Sequence, residues 1–147
     1  ALPHLALSTD VIVGFPGETD EDAAASLAFV ASQGFSRLHV FRYSARPGTP
    51  AADLAEQVPA TTKAGRAAAM RSLGVELSSR FEGERAAAGS PAELLVERVR
   101  PASAERPRTV EGTTREYLHL AVASPAAKPG DLLEVCWNAP AGEWRTC

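Results

Sequence analysis

The stretch from Thr9 to Asp22, T-D-V-I-V-G-F-P-G-E-T-D-E-D, constrains the fold of this chain more than any other. Val11–Val13 is a short β-branched run, which is typical of a buried strand in a parallel sheet. Gly14 and Gly17 then interrupt the pattern, and both glycines can adopt positive φ. The stretch therefore predicts a strand, a glycine turn and a helix start, at the sheet edge where α/β proteins bind their ligands.

The predicted helix start carries too much negative charge to hold a phosphate. Thr19 is suited to the N-cap, and Asp22 completes a capping-box pattern. Asp20 and Glu21 fill the first turn, where the helix dipole favours carboxylates. Phosphate loops leave these N–H groups free for the anion, and Walker-type loops add a lysine that this turn lacks. We therefore expect a less charged portion of any ligand to meet this turn.

A second strand follows the first helix closely. The helix is predicted from Asp20 to about Gln33, with Gly34 ending it and Leu38–Tyr43 forming the next strand. Its apolar face is predicted to consist of Ala24, Leu27, Ala28 and Ala31. A strand, a helix and a strand in such a short stretch predict parallel neighbours joined by a right-handed crossover. The glycine turn and the stiff loop at 44–50 should therefore lie side by side.

A long helix is predicted from Thr61 or Thr62 to about Ala88. Its apolar stripe consists of Met70, Leu73, Leu77 and Phe81. Cations occupy the other positions, namely Lys63, Arg66, Arg71, Arg80 and Arg85. A solvated helix face explains these cations, and a surface for RNA phosphates is the alternative.

Short strands separated by turn residues fill the chain after Gly89-Ser90-Pro91. They are predicted at Glu93–Val99, Arg108–Glu111, Glu116–Val122, Leu132–Trp137 and near Trp144. Such a series is typical of a small closed or nearly closed antiparallel β-barrel. The predicted fold class is therefore an α/β domain over residues 1–89 followed by a small β-barrel domain over 90–147.

Composition limits the possible partners and compartments. The formal net charge of −3 gives no global basic field, so any nucleic-acid binding needs a segregated face. Cys136 and Cys147 lack metal-binding spacing, and we expect no disulfide framework and a reducing, cytoplasmic compartment. No apolar run reaches the roughly 18 residues that span a bilayer, so no membrane association is predicted. Because a strand follows Ala1 almost at once, we expect a later part of a longer protein.

Three motifs resemble the radical-SAM methylthiotransferase family. They are T-D-V-I-V-G-F-P-G-E-T, L-H-V-F-R-Y-S-A-R-P-G-T-P-A-A, and L-L-V-E together with G-T-T-R-E-Y-L-H-L. The first two are similar to the fifth and sixth strand regions of the partial TIM-type barrel of that family, and the third resembles its RNA-binding TRAM domain, an OB-like barrel. The L-H-V-F form resembles the branch that acts on threonylcarbamoyladenosine in tRNA. Other branches act on isopentenyladenosine or on a ribosomal protein aspartate.

The resemblance implies S-adenosylmethionine and two 4Fe–4S clusters as cofactors, and tRNA as the substrate. Members insert a methylthio group at an unactivated carbon, and cysteine thiolates hold their clusters. This chain has no Cys-x-x-x-Cys-x-x-Cys run and therefore no metal ligands of its own. We expect it to be inactive alone and to require the missing N-terminal part of the same protein. Its catalytic residues stay unassigned.

The resemblance also implies which side chains meet the cofactor. Ile12 matches the position of an apolar contact to adenine, and Gly14 matches one where the backbone comes close. Val13 should point the other way, because strand residues alternate. His39 and Phe41 share a face of the second strand with Tyr43, and either could contact cofactor or substrate, although a structural role is equally open for His39.

The expected RNA-binding side chains are cations and one aromatic ring. Arg46 is a candidate for a phosphate or for the substrate carboxylate, with an ordinary loop ion pair as the alternative. In the β domain the candidates are Arg98, Arg100, Arg115, Tyr117 and Lys128. Trp137 could stack on a base, but core packing is favoured. Two other functions remain open: a non-catalytic RNA-binding protein, and a methylthiotransferase for isopentenyladenosine or a ribosomal protein.

Overall fold

The computed structural model describes residues 5–147. Its elements in chain order are β1 (Ser8–Val13), α1 (Asp20–Ser32), β2 (Arg37–Arg42), a 3₁₀ turn (Pro50–Ala52), α2 (Ala60–Ala87), β3 (Ala92–Arg100), β4 (Thr109–Thr114), β5 (His119–Ala123), β6 (Leu132–Asn138) and β7 (Glu143–Thr146). They divide into an α/β unit, residues 6–81, and a β unit, residues 82–147 with Leu5.

The α/β unit is a two-stranded parallel sheet covered by helices on one face. β1 pairs with β2 in parallel, as the strand–helix–strand pattern predicted. Val13, Val30 and Met70 lie in one buried cluster, which joins β1, α1 and α2. The prediction of a fully buried first strand is wrong, since exposed and covered residues alternate along β1. Only the helix-covered face of the sheet is buried.

The first helix starts as predicted, and its predicted apolar face is right in part. Thr19 and Asp22 form the complete capping box, and Gly34 follows the helix with φ of 69°. Val30 is buried and Leu27 packs beside it, whereas Ala24 and Ala28 are exposed. Burying Val30 and Leu27 removes more apolar surface from water than burying these two alanines would.

The long helix α2 matches its prediction closely. Met70 and Leu77 are buried in the α/β unit, Leu73 packs against the same cluster, and Phe81 is half-buried. Within residues 5–147, neither this helix of 28 residues nor α1 has the length and apolar character needed to cross a membrane.

The β unit is one antiparallel sheet of five strands in the order β5-β4-β3-β6-β7. All five predicted strands are present, but of the predicted closed or nearly closed barrel the closed form is not: Cα atoms of β5 and β7 approach within 8 Å without the strands pairing. Leu94, Val96, Val110 and Val135 fill its core. A bulge in β3 beside Val96 lies opposite Gly112, where a Cβ would collide with the Leu95 carbonyl oxygen. The bulge bends the sheet.

A disulfide joins Cys136 and Cys147, with the two Cα atoms 5.4 Å apart. The expectation that the cysteines stay unpaired is therefore wrong. Pairing of β6 with β7 brings the last residue beside its partner, and the amide of Cys147 donates to the Glu134 carbonyl oxygen at 3.0 Å. The sequence spacing of eleven residues gave no sign of this, because a strand pairing decides it.

Candidate functional site

The sheet of the α/β unit has one face without a helix, and we call it the open face. It carries Asp10 and Ile12 from β1, and His39 and Phe41 from β2. Asp10 lies opposite His39, and Ile12 lies opposite Phe41. Ile12 is 59% exposed and Phe41 is 52% exposed, although both are large and apolar. The open face thus presents an apolar pair beside a polar pair.

The structure brings three of the four proposed cofactor-contacting residues together. Ile12, His39 and Phe41 share the open face, and Val13 points into the helix-covered core. Asp10 belongs to the same face but was missed. Strand alternation placed it two residues before Ile12, so this signal was present in the sequence.

Gly14 is required by the protein itself. Its φ is 73°, and a Cβ there would collide with Cγ of Lys63 and lie 3.2 Å from its Cδ. Lys63 then extends to Tyr43, where its Nζ donates to the carbonyl oxygen at 3.3 Å and lies 5.0 Å from the ring centroid. The glycine therefore makes room for a lysine of α2, and this packing explains the need for glycine at position 14 without any ligand.

The turn after β1 is held by internal ion pairs. Glu18 accepts the Gly14 amide at 2.8 Å and pairs with Arg66 at 2.7 Å. Arg66 also pairs with Asp20 at 2.7 Å. The side chains of Glu18 and Arg66 are only 15% and 12% exposed. The pKa of Arg66 is raised, first by its hydrogen bond to Asp20 and then by that to Glu18, so the guanidinium stays charged.

The capping box adds a further carboxylate to this turn. Asp22 accepts the Thr19 amide at 3.0 Å and the Thr19 hydroxyl at 2.9 Å. These bonds, the backbone one first, hold the pKa of Asp22 below its usual value. The carboxylates of Glu18, Asp20 and Asp22 are therefore already bonded within the protein.

The loop after β2 is more open. Tyr43 packs edge to face on Phe15, with ring centroids 5.1 Å apart. The backbone carbonyl of Arg46 accepts the Thr49 hydroxyl at 2.8 Å, which fixes the loop. The guanidinium of Arg46 is exposed, and it forms no hydrogen bond or ion pair with any residue from 5 to 147. The loop ion pair considered from the sequence is thus not formed in this structure.

The cations of α2 do not form one solvated row. Arg66 is held in the ion pairs above, and the Arg85 side chain is only 3% exposed. Arg85 donates to the carbonyl oxygens of Ser90 and Pro91, each at 2.8 Å, and pairs with Glu116 at 3.3 Å. The solvated-face prediction is wrong for these two arginines, because helical periodicity places a charge but does not reveal its partner.

The five RNA candidates of the β unit are all exposed or partly exposed, and they differ in whether they form an ion pair. Arg100 pairs with Glu111 at 2.5 Å, and Arg115 pairs with Glu93 at 2.8 Å. Arg98, Tyr117 and Lys128 are exposed, and within residues 5–147 their side chains have no ion pair. Trp137 lies edge to face with buried Trp144, with centroids 5.7 Å apart, as core packing predicted.

Tyr117 has an unusual backbone for an exposed aromatic residue. Its φ is 61°, the side chain is 66% exposed, and it lies in the turn between β4 and β5. The Tyr117 amide donates to the Thr114 carbonyl oxygen at 3.0 Å, and the Leu118 amide donates to the Thr114 hydroxyl at 3.2 Å. A left-handed backbone outside glycine costs free energy, and such residues cluster at functional sites.

Iron–sulfur ligation does not fit the residues of this chain. Among residues 5–147 no group of three or more His, Cys, Asp or Glu side chains is arranged to hold a metal. Cys136 and Cys147, the two cysteines of the sequence, are bonded to each other. No reaction step through a cluster can be assigned to these residues.

These features define an α/β unit with an open sheet face and a β unit with exposed cations and an aromatic turn. No family model matches the chain. It is 39% identical over 137 residues to the tRNA-2-methylthio-N(6)-dimethylallyladenosine synthase of Mycobacterium ulcerans (strain Agy99), over 92% of this chain and 25% of that enzyme. The synthase of Mycolicibacterium vanbaalenii is 49% identical over 96 residues, which is 65% of this chain and 18% of that enzyme.

The chain spans about a quarter of the length of these curated relatives or less. The similarity supports a relationship with the tRNA methylthiotransferases. It does not support the threonylcarbamoyladenosine branch, since these relatives are named for dimethylallyladenosine.

Proposed function

We propose that this chain is the carboxyl-terminal part of a radical-SAM tRNA methylthiotransferase. The α/β unit would supply one wall of the cofactor and substrate pocket, and the β unit would contact the tRNA. The observation that carries the proposal is the open face, where Ile12 and Phe41 stay exposed side by side on a parallel sheet. Exposed apolar pairs of this kind are typical of ligand-binding surfaces.

Ile12 and Phe41 would pack against the flat face of an aromatic ring such as an adenine. Asp10 and His39, the neighbouring pair, would bind polar atoms of the same ligand. S-adenosylmethionine, reduced by an iron–sulfur cluster, would supply the radical, and the cysteines for that cluster would come from the rest of the protein. The part of this chain in the reaction is to position and shield the reacting groups.

For the nucleoside we propose dimethylallyladenosine, the isopentenyl form. The names of the relatives support this substrate. Threonylcarbamoyladenosine, which the L-H-V-F motif favoured, remains the second candidate. Its carboxylate would need a cation, and the unpaired Arg46 is the residue available for it.

Nucleoside analysis of tRNA from cells that lack the full gene tests the substrate. We expect the methylthio form of dimethylallyladenosine to disappear and its unmodified precursor to accumulate. Loss of the threonylcarbamoyl product instead would establish the second candidate. If both methylthio nucleosides persist, the proposed function is wrong, and a non-catalytic RNA-binding role becomes the better explanation.

The role of the open face is tested with two phenylalanine variants of the full-length enzyme. Phe41→Ala should weaken S-adenosylmethionine binding about tenfold or more, because burying a phenylalanine contributes about 1.5–3 kcal/mol. Phe29→Ala is the matched control, since Phe29 is 61% exposed but lies on α1. If calorimetric titrations give the two variants equal affinity for S-adenosylmethionine, Phe41 does not belong to the cofactor site.

A further inference from the structure

A pocket lies at the carboxyl end of β2, and its lining carries positive charge. It has a volume of about 360 Å³. The lining residues are Arg42, Tyr43, Ser44, Ala45, Ala60 and Lys63. Two of the six are positively charged and none is acidic. Ala60 and Lys63 come from the first turn of α2, which also lacks acids. We call it the Arg42 pocket.

Lys63 is fixed in position within this pocket. Its stem fills the space beside Gly14, and its ammonium donates to the Tyr43 carbonyl oxygen while lying over the ring. A lysine ammonium has three N–H donors, so two remain available for a ligand. The flexible lysine has therefore already lost much of its rotamer freedom, which lowers the entropic cost of binding.

Arg42 brings the second charge. It is exposed, and it forms no hydrogen bond or ion pair with residues 5–147. Ser44 adds a hydroxyl, and the buried hydroxyl of Tyr43 also lacks a partner in that part of the chain. A fork guanidinium, an ammonium and a hydroxyl are donors that suit the several oxygens of a tetrahedral anion.

We propose that the Arg42 pocket binds a phosphodiester group of the RNA substrate. This inference rests on the proposed function, since it takes its ligand from the tRNA. A phosphate held at the carboxyl end of β2 would fix the register of the RNA beside the open face without reading its sequence. A phosphate ligand would also explain why cations lie at the carboxyl end of β2 while acids lie at the carboxyl end of β1.

The test measures tRNA binding by the full-length enzyme over a series of salt concentrations. Arg42→Gln should lower the slope of log K against log salt by about 0.7, the value for one contact to a single strand. Arg42→Lys keeps the charge and should retain most of the slope. Arg37→Gln is the matched control, because it makes the same change at the opposite end of β2. Calorimetric titration of S-adenosylmethionine accompanies each variant.

The outcomes separate the site from the proposed function. A reduced slope in Arg42→Gln alone, with unchanged S-adenosylmethionine affinity, supports the site. Equal slopes for Arg42→Gln and Arg37→Gln overturn it, even where the wild type binds and modifies tRNA. Weaker S-adenosylmethionine binding with an unchanged slope also overturns it, since the anion would then belong to the small cofactor. A wild type that neither binds nor modifies tRNA refutes the proposed function and this ligand together.

Discussion

The carboxyl ends of β1 and β2 lie on adjacent strands of one sheet, yet they are built from opposite charges. After β1, the acids Glu18, Asp20 and Asp22 hold the turn and are bonded to Arg66 or Thr19. After β2, the pocket is lined by Arg42 and Lys63 and contains no acid. The sheet geometry is the same at both ends, so the difference lies in the side chains that follow each strand.

This difference separates a structural function from a binding function. At the first end Glu18 and Asp20 are paired with Arg66, so an incoming anion would have to displace an ion pair. At the second end Arg42 and Arg46 have no partner within residues 5–147, and a ligand gains their charges without displacing any. Lys63 connects the two ends, because its stem packs on Gly14 and its ammonium reaches Tyr43.

The largest effect is expected when this connection is broken at Gly14. Gly14→Ala would force a residue with a side chain to adopt φ of 73° and would push Cβ into Lys63. The backbone cost is about 1–2 kcal/mol and the overpacking cost about 1–3 kcal/mol, so we expect a loss of about 2–5 kcal/mol in the free energy of unfolding. Urea denaturation of the chain measures this loss.

Two other glycines separate the two contributions to that loss. Gly48 has φ of 80° and no atom within 4 Å of a Cβ, so Gly48→Ala should show the backbone cost alone. Gly65 lies inside α2 with equally free space, so Gly65→Ala should stabilise the chain by up to about 1 kcal/mol. If Gly14→Ala cost no more than Gly48→Ala, Lys63 would not occupy the space that the structure gives it.

The sequence predicted the order of elements well because local signals determine it. The β-branched run Val11–Val13, the Thr19 capping box and Gly34 identified β1, the start of α1 and its end. The inward face of α1 was predicted only in part, because the periodicity included exposed Ala24 and Ala28 and left out buried Val30. Which apolar stripe is buried depends on the helix packed against it, and sequence periodicity contains no information about that neighbour.

The candidate site was predicted in part for a similar reason. Strand alternation placed His39 and Phe41 on one face of the second strand, since that relation is local, whereas Ile12 was implied by the family resemblance. Lys63 and Arg66 were predicted only as surface cations, because their contacts with Gly14 and Glu18 join residues about fifty positions apart. The disulfide of the β unit escaped prediction because the pairing of β6 with β7 creates it.

A smaller effect is expected from opening the capped start of α1. Thr19→Ala removes the hydroxyl that accepts the Asp22 amide at 3.1 Å, and loss of such a cap costs about 1 kcal/mol. Urea denaturation should show this loss, and Thr19→Ser should recover most of it. The variant should gain no affinity for inorganic phosphate, because Asp20, Glu21 and Asp22 still repel anions. A gain in phosphate affinity would mean that the cap, and not the acids, distinguishes the two strand ends.

The smallest effect is a pH dependence at the same turn. The pKa of Asp22 is lowered in the folded chain, first by the Thr19 amide and then by the Thr19 hydroxyl. A lowered pKa means that the folded chain binds the proton of Asp22 less readily than the unfolded chain does. Its stabilising contribution is therefore complete above the ordinary aspartate value of about 4 and is lost as pH falls through the folded pKa.

Denaturation from pH 6 down to about 3 should show wild type and Asp22→Asn converging in stability. Because the backbone bond is the larger cause, most of this convergence should persist between Thr19→Ala and the Thr19→Ala, Asp22→Asn double variant. A stability difference that stays constant across this range would show that the Asp22 carboxylate does not hold the start of α1, and the contrast between the strand ends would then rest on Glu18 and Arg66 alone.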